Sequence, residues 1–115
     1  MQYAGGCHCG NVRFEVDVDL SSPITCNCSY CRQRGSILAF TPAESFTLEK
    51  GEESLTEYRF NTKQIEHLFC SSCGMESFAR GAMPDGTAMV AVNVRCLDDV
   101  DLDALETQQF DGRSR

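Results

Sequence analysis

Eight cysteines in 115 residues constrain the fold of this chain more than any other feature. Seven of the eight fall into three tight groups: Cys7 and Cys9; Cys26, Cys28 and Cys31; and Cys70 and Cys73. Two thiolates two or three residues apart can hold one ion with little further loss of chain entropy. The binding energy of the metal then offsets the cost of closing the longer loops. The spacing therefore predicts zinc binding.

Disulfides are the other common use of so many cysteines, and the start of the chain argues against them. The opening MQYAGGCHCG has neither the basic residues nor the apolar run of a secretory signal peptide. The longest apolar runs are only a few residues, which is too short for a transmembrane helix. We therefore expect a cytoplasmic protein with reduced thiols and no membrane partner.

Length and charge narrow the class of protein further. The 115 residues, 42% of them hydrophobic, are predicted to form one globular domain spanning residues 1–115. The formal net charge is −7, and the ten Lys and Arg residues form no block. Because phosphate binding needs a basic face, this charge argues against a nucleic-acid partner.

The hydrophobic pattern is mostly that of β-strands. Apolar and polar residues alternate strictly in VRFEVDV, and valines occupy every second position of MVAVNV, so each segment is predicted to bury one face. The buried faces would hold Val12, Phe14, Val16 and Val18 in the first segment and Val90, Val92 and Val94 in the second. Further short strands are predicted at residues 37–40, 45–50, 55–60 and 65–70. Helix is expected only at 31–35 and 98–105, which makes this an all-β domain of small curved sheets.

Glycines divide the cysteine groups into two kinds of site. A glycine follows the first and last groups, at Gly10 and Gly74, whereas Arg32 follows the middle group. A glycine just after a chelating pair lets the backbone take a positive φ and turn its N–H groups toward the sulfurs. The two matching pairs predict a closed, structural zinc site. We call this set the cysteine tetrad: Cys7, Cys9, Cys70 and Cys73.

The middle group, which we call the cysteine triad, consists of Cys26, Cys28 and Cys31. A zinc with three protein ligands keeps an open position for chemistry, so we predict a second, reactive zinc at the triad. The alternative is a structural zinc whose fourth ligand comes from elsewhere in the chain. His8, His67 and Cys96 are the candidates for that ligand. His8 lies between two tetrad ligands, His67 is expected to pack within a strand, and Cys96 is expected to be a small core residue.

Four segments resemble one family in their order and spacing. They are GGCHCGNVRFEV, TCNCSYCRQRGS, HLFCSSCGMESFAR, and VAVNVRCLDDVDLDAL with a later FDG. The family is that of the glutathione-dependent formaldehyde-activating enzyme (Gfa) and centromere-protein-V-like domains. The resemblance covers nearly the whole chain. It implies a β-tent, Mss4-like fold of antiparallel sheets with two zinc ions, in which the tetrad is the structural site and the triad holds the catalytic zinc.

The resemblance also implies an activity, the carbon–sulfur lyase reaction run backwards. In it, glutathione and formaldehyde condense to S-(hydroxymethyl)glutathione. Three thiolates on a zinc dication leave a net charge near −1, which favours capture of the thiol over activation of the aldehyde. An anionic tripeptide approaching a protein of charge −7 needs basic help nearby. Arg32 and Arg34 are therefore expected to bind the substrate, with Lys63 and Arg80 as weaker candidates.

Two other functions fit the same sequence. A non-catalytic zinc module that binds another protein is suggested by the short chain, and it predicts an exposed apolar patch and a filled metal shell at the triad. A redox or metal-buffering role predicts instead a labile zinc at the triad and cysteines that oxidise readily.

Overall fold

A computed structural model describes residues 1–59 and 65–110 of the chain. Within these residues there are ten strands and one α-helix. In chain order the elements are β1 (Gln2–Gly6), β2 (Arg13–Asp17), β3 (Ile24–Cys26), α1 (Ser29–Arg34), β4 (Leu38–Pro42), β5 (Phe46–Lys50), β6 (Leu55–Tyr58), β7 (Glu66–Cys70), β8 (Phe78–Ala82), β9 (Ala88–Asn93) and β10 (Gln108–Phe110).

The strands form two sheets. The smaller sheet has the order β1-β2-β5, and the larger has the order β10-β3-β4-β9-β8-β7-β6. Neighbouring strands are antiparallel except β10 and β3, which run parallel. The prediction of an all-β, Mss4-like fold of small sheets is confirmed. The parallel pair is the one departure from purely antiparallel sheets among the described strands.

The core lies between the two sheets. Phe14 of β2 and Phe46 of β5 face Phe78 of β8, with ring centroids 4.6 to 6.0 Å apart. The side chains predicted to be buried are indeed inside, at 3% exposure or less. They are Val12, Phe14, Val16 and Val18 around β2, and Val90, Val92 and Val94 around β9. The residues at every second position therefore identify the core-facing sides of both strands.

Four strands escaped prediction, because their sequences lack a long alternating pattern. They are β1, β3, β8 and β10. Strand β1 ends in two glycines, and a Cβ added at Gly5 would lie 2.6 Å from the carbonyl oxygen of Cys96. Strands β3 and β10 have only three residues each. The predicted strand at 55–60 is observed as β6, and its last predicted residue lies outside the described part of the chain.

The short helices differ from expectation in position and type. Helix α1 begins two residues earlier than predicted and ends at Arg34. Where a helix was expected at 98–105, a single 3-10 turn spans Leu102–Ala104. The Asp101 carboxylate accepts a hydrogen bond from the Asp103 amide, a local turn that competes with a helix. No helix in the described ranges is long and apolar enough to cross a membrane.

Candidate metal centres

The cysteine tetrad joins the two sheets. Cys7 directly follows β1 of the small sheet, and Cys70 is the last residue of β7 in the large sheet. Cys9 and Cys73 lie in the turns that follow. All four Sγ atoms lie within 4.8 Å of one another. The structure thus brings together sulfurs that are more than sixty residues apart in the chain, in the grouping expected from the glycines.

The geometry of the tetrad fits a zinc ion. The Sγ atom of Cys9 is 3.6 Å from the Sγ atoms of both Cys7 and Cys70. Tetrahedral zinc with Zn–S bonds of about 2.3 Å requires sulfurs about 3.8 Å apart. The backbone amides of Val12 and Ser72 lie 3.3 and 3.4 Å from the sulfurs of Cys7 and Cys70, respectively.

Backbone geometry produces these N–H contacts with the sulfurs. Gly10 and Gly74 adopt φ of 84° and 79°, which is the left-handed region that glycine enters without strain. Backbone hydrogen bonds from Cys9 and Met75 lower the pKa of Cys73 to about 6. A backbone hydrogen bond from Cys73 also holds the pKa of Cys70 below its ordinary value. These bonds favour the thiolate, the form of cysteine that binds metal, at Cys70 and Cys73. At Cys9 a backbone hydrogen bond from Asn11 has the same effect, but burial and the neighbouring thiols outweigh it and raise the pKa to about 11.

The cysteine triad surrounds the start of α1. Cys26 ends β3, Cys28 caps the N-terminus of α1, and Cys31 lies within its first turn. The Cys28 sulfur accepts a hydrogen bond from the Cys31 amide, at 3.3 Å. The three Sγ atoms lie within 4.8 Å of one another. Thiolates at this spacing suit a soft or borderline ion such as zinc.

No fourth ligand completes the triad among residues 1–59 and 65–110. No further His, Cys, Asp or Glu in those ranges brings a ligand atom within 4.8 Å of all three sulfurs. Of the three candidates from the sequence, His8 is exposed. His67 Nδ1 is 3.2 Å from Glu76 Oε2, and the Cys96 sulfur is 3.8 Å from the Glu76 carbonyl oxygen. Two of the three candidates therefore contact Glu76.

Glu76 is a buried carboxylate that the sequence did not reveal. It is only 6% exposed and lies between the tetrad turn and β8. The Tyr30 hydroxyl donates to Glu76 Oε1, and the Tyr30 ring centroid is 4.3 Å from that of His67. Burial and the bond to Glu76 raise the pKa of Tyr30. Because Tyr30 belongs to α1, Glu76 anchors the helix of the triad to the large sheet.

The two arginines of α1 have different surroundings. Arg34 donates to the Gly74 carbonyl oxygen at 2.8 Å and to the Tyr30 hydroxyl at 3.2 Å. Its Nε is also 3.7 Å from Glu76 Oε1. Arg32 instead lines a cavity of about 390 Å³ beside Cys26 and Cys31, and Arg34 is not among the residues lining it. Their predicted roles in substrate binding stay predictions.

The two weaker basic candidates lie away from the triad cavity or outside the described residues. The Arg80 guanidinium lies over the Phe78 ring, 5.3 Å from its centroid, and borders a different cavity. Lys63 lies outside the described residues. The cavity that Arg80 borders measures about 360 Å³, and its walls include Phe40, Ile65 and Met83.

Fold and site together define a small all-β domain with two cysteine clusters suited to metal. The model of the glutathione-dependent formaldehyde-activating enzyme family matches residues 2–111, so the chain belongs to that family. The chain is also similar to a Rhodobacter sphaeroides protein of known crystal structure. The two share 33% sequence identity with a TM-score of 0.83, over 93% of this chain and 99% of that one. The resemblance found in the sequence is thereby confirmed.

Proposed function

We propose that this protein is a zinc-dependent enzyme of the carbon–sulfur lyase type. It would act on a thiol–aldehyde adduct at the triad, in the manner of an S-(hydroxymethyl)glutathione synthase. The observation that carries the proposal is a set of three cysteines, of which Cys26 and Cys31 line a cavity of about 390 Å³, with no fourth ligand among the described residues. Three protein ligands and an open position are the arrangement of a catalytic zinc.

The two clusters have separate tasks in this proposal. The tetrad would hold a zinc that fastens the small sheet to the large one, because its cysteines lie at or just after the ends of strands of both sheets. The triad would hold the second zinc, with Cys26, Cys28 and Cys31 as its ligands. A zinc there with one free position would supply a site for a thiol sulfur and lower the pKa of that thiol.

The proposed reaction balances without a redox partner. The thiol sulfur forms a bond to the carbonyl carbon, and the π electrons of the carbonyl move to its oxygen. That oxygen takes up the proton that the thiol lost. The family name supports glutathione as the thiol and formaldehyde as the aldehyde. The cavity is near the lower end of the range of small-molecule sites, roughly 300–1,000 Å³.

The proposal requires thiols that stay reduced, so it also places the protein in a reducing compartment such as the cytoplasm. All eight cysteines are free of disulfides. The two ions are proposed to be zinc because all seven clustered ligands are thiolates, and a thiolate set of four with well-placed N–H donors suits that metal.

The decisive experiment is a metal count combined with a binding spectrum. We expect two zinc ions per chain in the wild type, one in Cys28→Ser and two in the control Cys96→Ala. In the cobalt form, glutathione should change the absorption of the wild type but not of Cys28→Ser. Formation of S-(hydroxymethyl)glutathione should follow the same pattern. One metal ion per chain in both wild type and Cys28→Ser would contradict the proposal.

A second candidate function is a non-catalytic zinc module that binds another protein. It is favoured by the apolar cavity on the large sheet, where Phe40, Ile65 and Met83 are each about half exposed. Exposed apolar patches of this kind often mark interaction sites. Four protein ligands at both metals of the cobalt form, with no response to glutathione, would favour this function over the enzyme.

A further inference from the structure

Arg95 borders the same cavity as the triad, although nothing in the sequence singled it out. It follows β9 in a 3-10 turn, Val94–Cys96, and is more than sixty residues from the triad in the chain. The cavity has Cys26, Cys31 and Arg32 on its walls together with Arg95 and Thr107. The fold therefore places a second arginine on the wall of this cavity, on a different element from the first.

A hydrogen bond holds Arg95 against the end of α1. Its Nε donates to the carbonyl oxygen of Gly35, at 3.1 Å. Gly35 ends the helix with φ of 71°, and its own amide donates to the Cys31 carbonyl oxygen. An arginine carries five N–H donors in a planar fork, and this contact uses one of them. The Nη groups of Arg95 have no partner among the described residues and are available to a ligand.

The charge around the cavity is unusual for so acidic a protein. Three described arginines have carboxylate partners, namely Arg13, Arg34 and Arg59. Within the described residues, Arg32, Arg80 and Arg95 form no ion pair, and two of these three line the triad cavity. No described Asp or Glu side chain lines it. With a formal net charge of −7, such a cavity stands out as a site for an anion.

We propose that Arg32 and Arg95 form an anion-binding pair that holds a carboxylate of the thiol substrate while its sulfur reaches the triad. This inference rests on the proposed function and assigns to Arg95 a role in specificity. An arginine fork binds a carboxylate through two parallel hydrogen bonds, which gives directional selection as well as affinity. The pair would select thiols that carry a carboxylate over neutral thiols of similar size.

A different role for the two arginines makes a distinct prediction. The positive charges would then only offset the negative charge of three thiolates on a dication. In that case their removal would weaken metal binding and affect all thiols alike. An anion-binding pair predicts the reverse, namely unchanged metal content and a loss of affinity confined to thiols that carry a carboxylate.

The test compares glutathione with its diethyl ester, which keeps the thiol but lacks both free carboxylates. Binding to the cobalt-loaded protein is followed by absorption and by calorimetry. We expect the wild type to prefer glutathione by about tenfold or more, as hydrogen bonds to a charged group imply. Arg95→Gln and Arg32→Gln should each lose most of that preference, with unchanged cobalt content and unchanged affinity for the ester.

Two further variants serve as controls. Arg80→Gln removes one positive charge outside the cavity and should keep the full preference, which excludes an effect of net charge alone. Arg95→Lys keeps the charge but not the fork and should keep part of the preference, which shows that the position tolerates substitution.

The outcomes separate this inference from the function on which it rests. Equal affinity of the two thiols for a wild type that holds two metals would overturn the anion-binding pair alone. If Arg95→Gln lost affinity for both thiols equally, or lost cobalt, the result would also overturn the anion-binding pair, in favour of a structural or charge-balancing role. A wild type that takes up one metal would overturn the proposed function, and the inference with it.

Discussion

Arg34 Nη1 donates a hydrogen bond to the carbonyl oxygen of Gly74, 2.8 Å away. Arg34 lies three residues after Cys31 of the triad, and Gly74 directly follows Cys73 of the tetrad. One side chain thus connects the helix of one cysteine cluster to the turn of the other. The Tyr30–Glu76 hydrogen bond runs beside it, so the two clusters share a common framework.

Replacing Arg34 should weaken the whole domain. Arg34→Ala removes hydrogen bonds to Gly74 and Tyr30, and we expect a loss of about 1–3 kcal/mol in the free energy of unfolding. Urea denaturation of the metal-loaded protein measures it. Arg32→Ala is the matched control on the same short helix, and it should change stability by about 0.5 kcal/mol or less. Equal effects of the two substitutions would show that the Arg34 contacts contribute nothing specific.

The stability of the domain should depend more on the acceptor oxygens of Glu76 than on its negative charge. Glu76→Ala removes the acceptor of the Tyr30 hydroxyl and the buried contact of Glu76 Oε2 with His67 Nδ1, which should cost about 3–5 kcal/mol. Glu76→Gln keeps one acceptor oxygen and should cost less. Thermal and urea unfolding compare the two variants. If the two substitutions lowered the free energy of unfolding equally, the charge of Glu76 rather than its hydrogen bonding would be what stabilises the domain.

Gly74 should be required for metal retention as well as for backbone conformation. Gly74→Ala places a Cβ in open space at φ of 79°, so the expected cost of about 1–2 kcal/mol arises from the left-handed backbone. Gly86→Ala is the matched control, with φ of 91° and equally open space, in a hairpin turn away from the cysteines.

Metal content separates the two glycine positions. Both variants should lose similar stability in the presence of excess zinc. After dialysis against a weak chelator, only Gly74→Ala should release metal from the tetrad, because its turn directs N–H groups toward the sulfurs. Equal retention in the two variants would argue against that role.

Loss of the tetrad should unfold the chain, whereas loss of the triad should not. Structural zinc contributes about 10–16 kcal/mol of binding free energy, which matches or exceeds the net stability of about 5–15 kcal/mol of a typical domain. Cys70→Ser should therefore lose its far-ultraviolet circular dichroism spectrum and its slow amide exchange. Cys28→Ser should keep both the spectrum and the slow exchange, because the hydrophobic core packs around cysteines of the tetrad rather than those of the triad. A folded Cys70→Ser protein would contradict the structural assignment.

The sequence predicted best what depends on local pattern. Alternation identified the buried side of β2, and the trailing glycines Gly10 and Gly74 separated the tetrad from the triad. Both are signals carried by neighbours in the chain. Strands β1 and β8 contain glycines that break alternation, and they are held by pairing with strands that the sequence alone did not align.

The surroundings of the triad could not be predicted in the same way. Nothing in the sequence distinguishes Glu76 from other acidic residues, and its burial follows only once β7, β8 and α1 pack together. Arg95 reaches the cavity because β9 pairs with β4 and brings its C-terminal end beside Gly35. Such positions are products of tertiary assembly, and no spacing rule connects them to the cysteines that they accompany.

The parallel pairing of β10 with β3 has a consequence for biosynthesis. All four tetrad cysteines have been synthesised once translation reaches Cys73, so that cluster can begin to assemble on a nascent chain. Strand β3, which carries Cys26, obtains its outer neighbour only when residues 108–110 have left the ribosome. The order of translation therefore allows the tetrad to assemble before Thr107 completes the wall of the triad cavity.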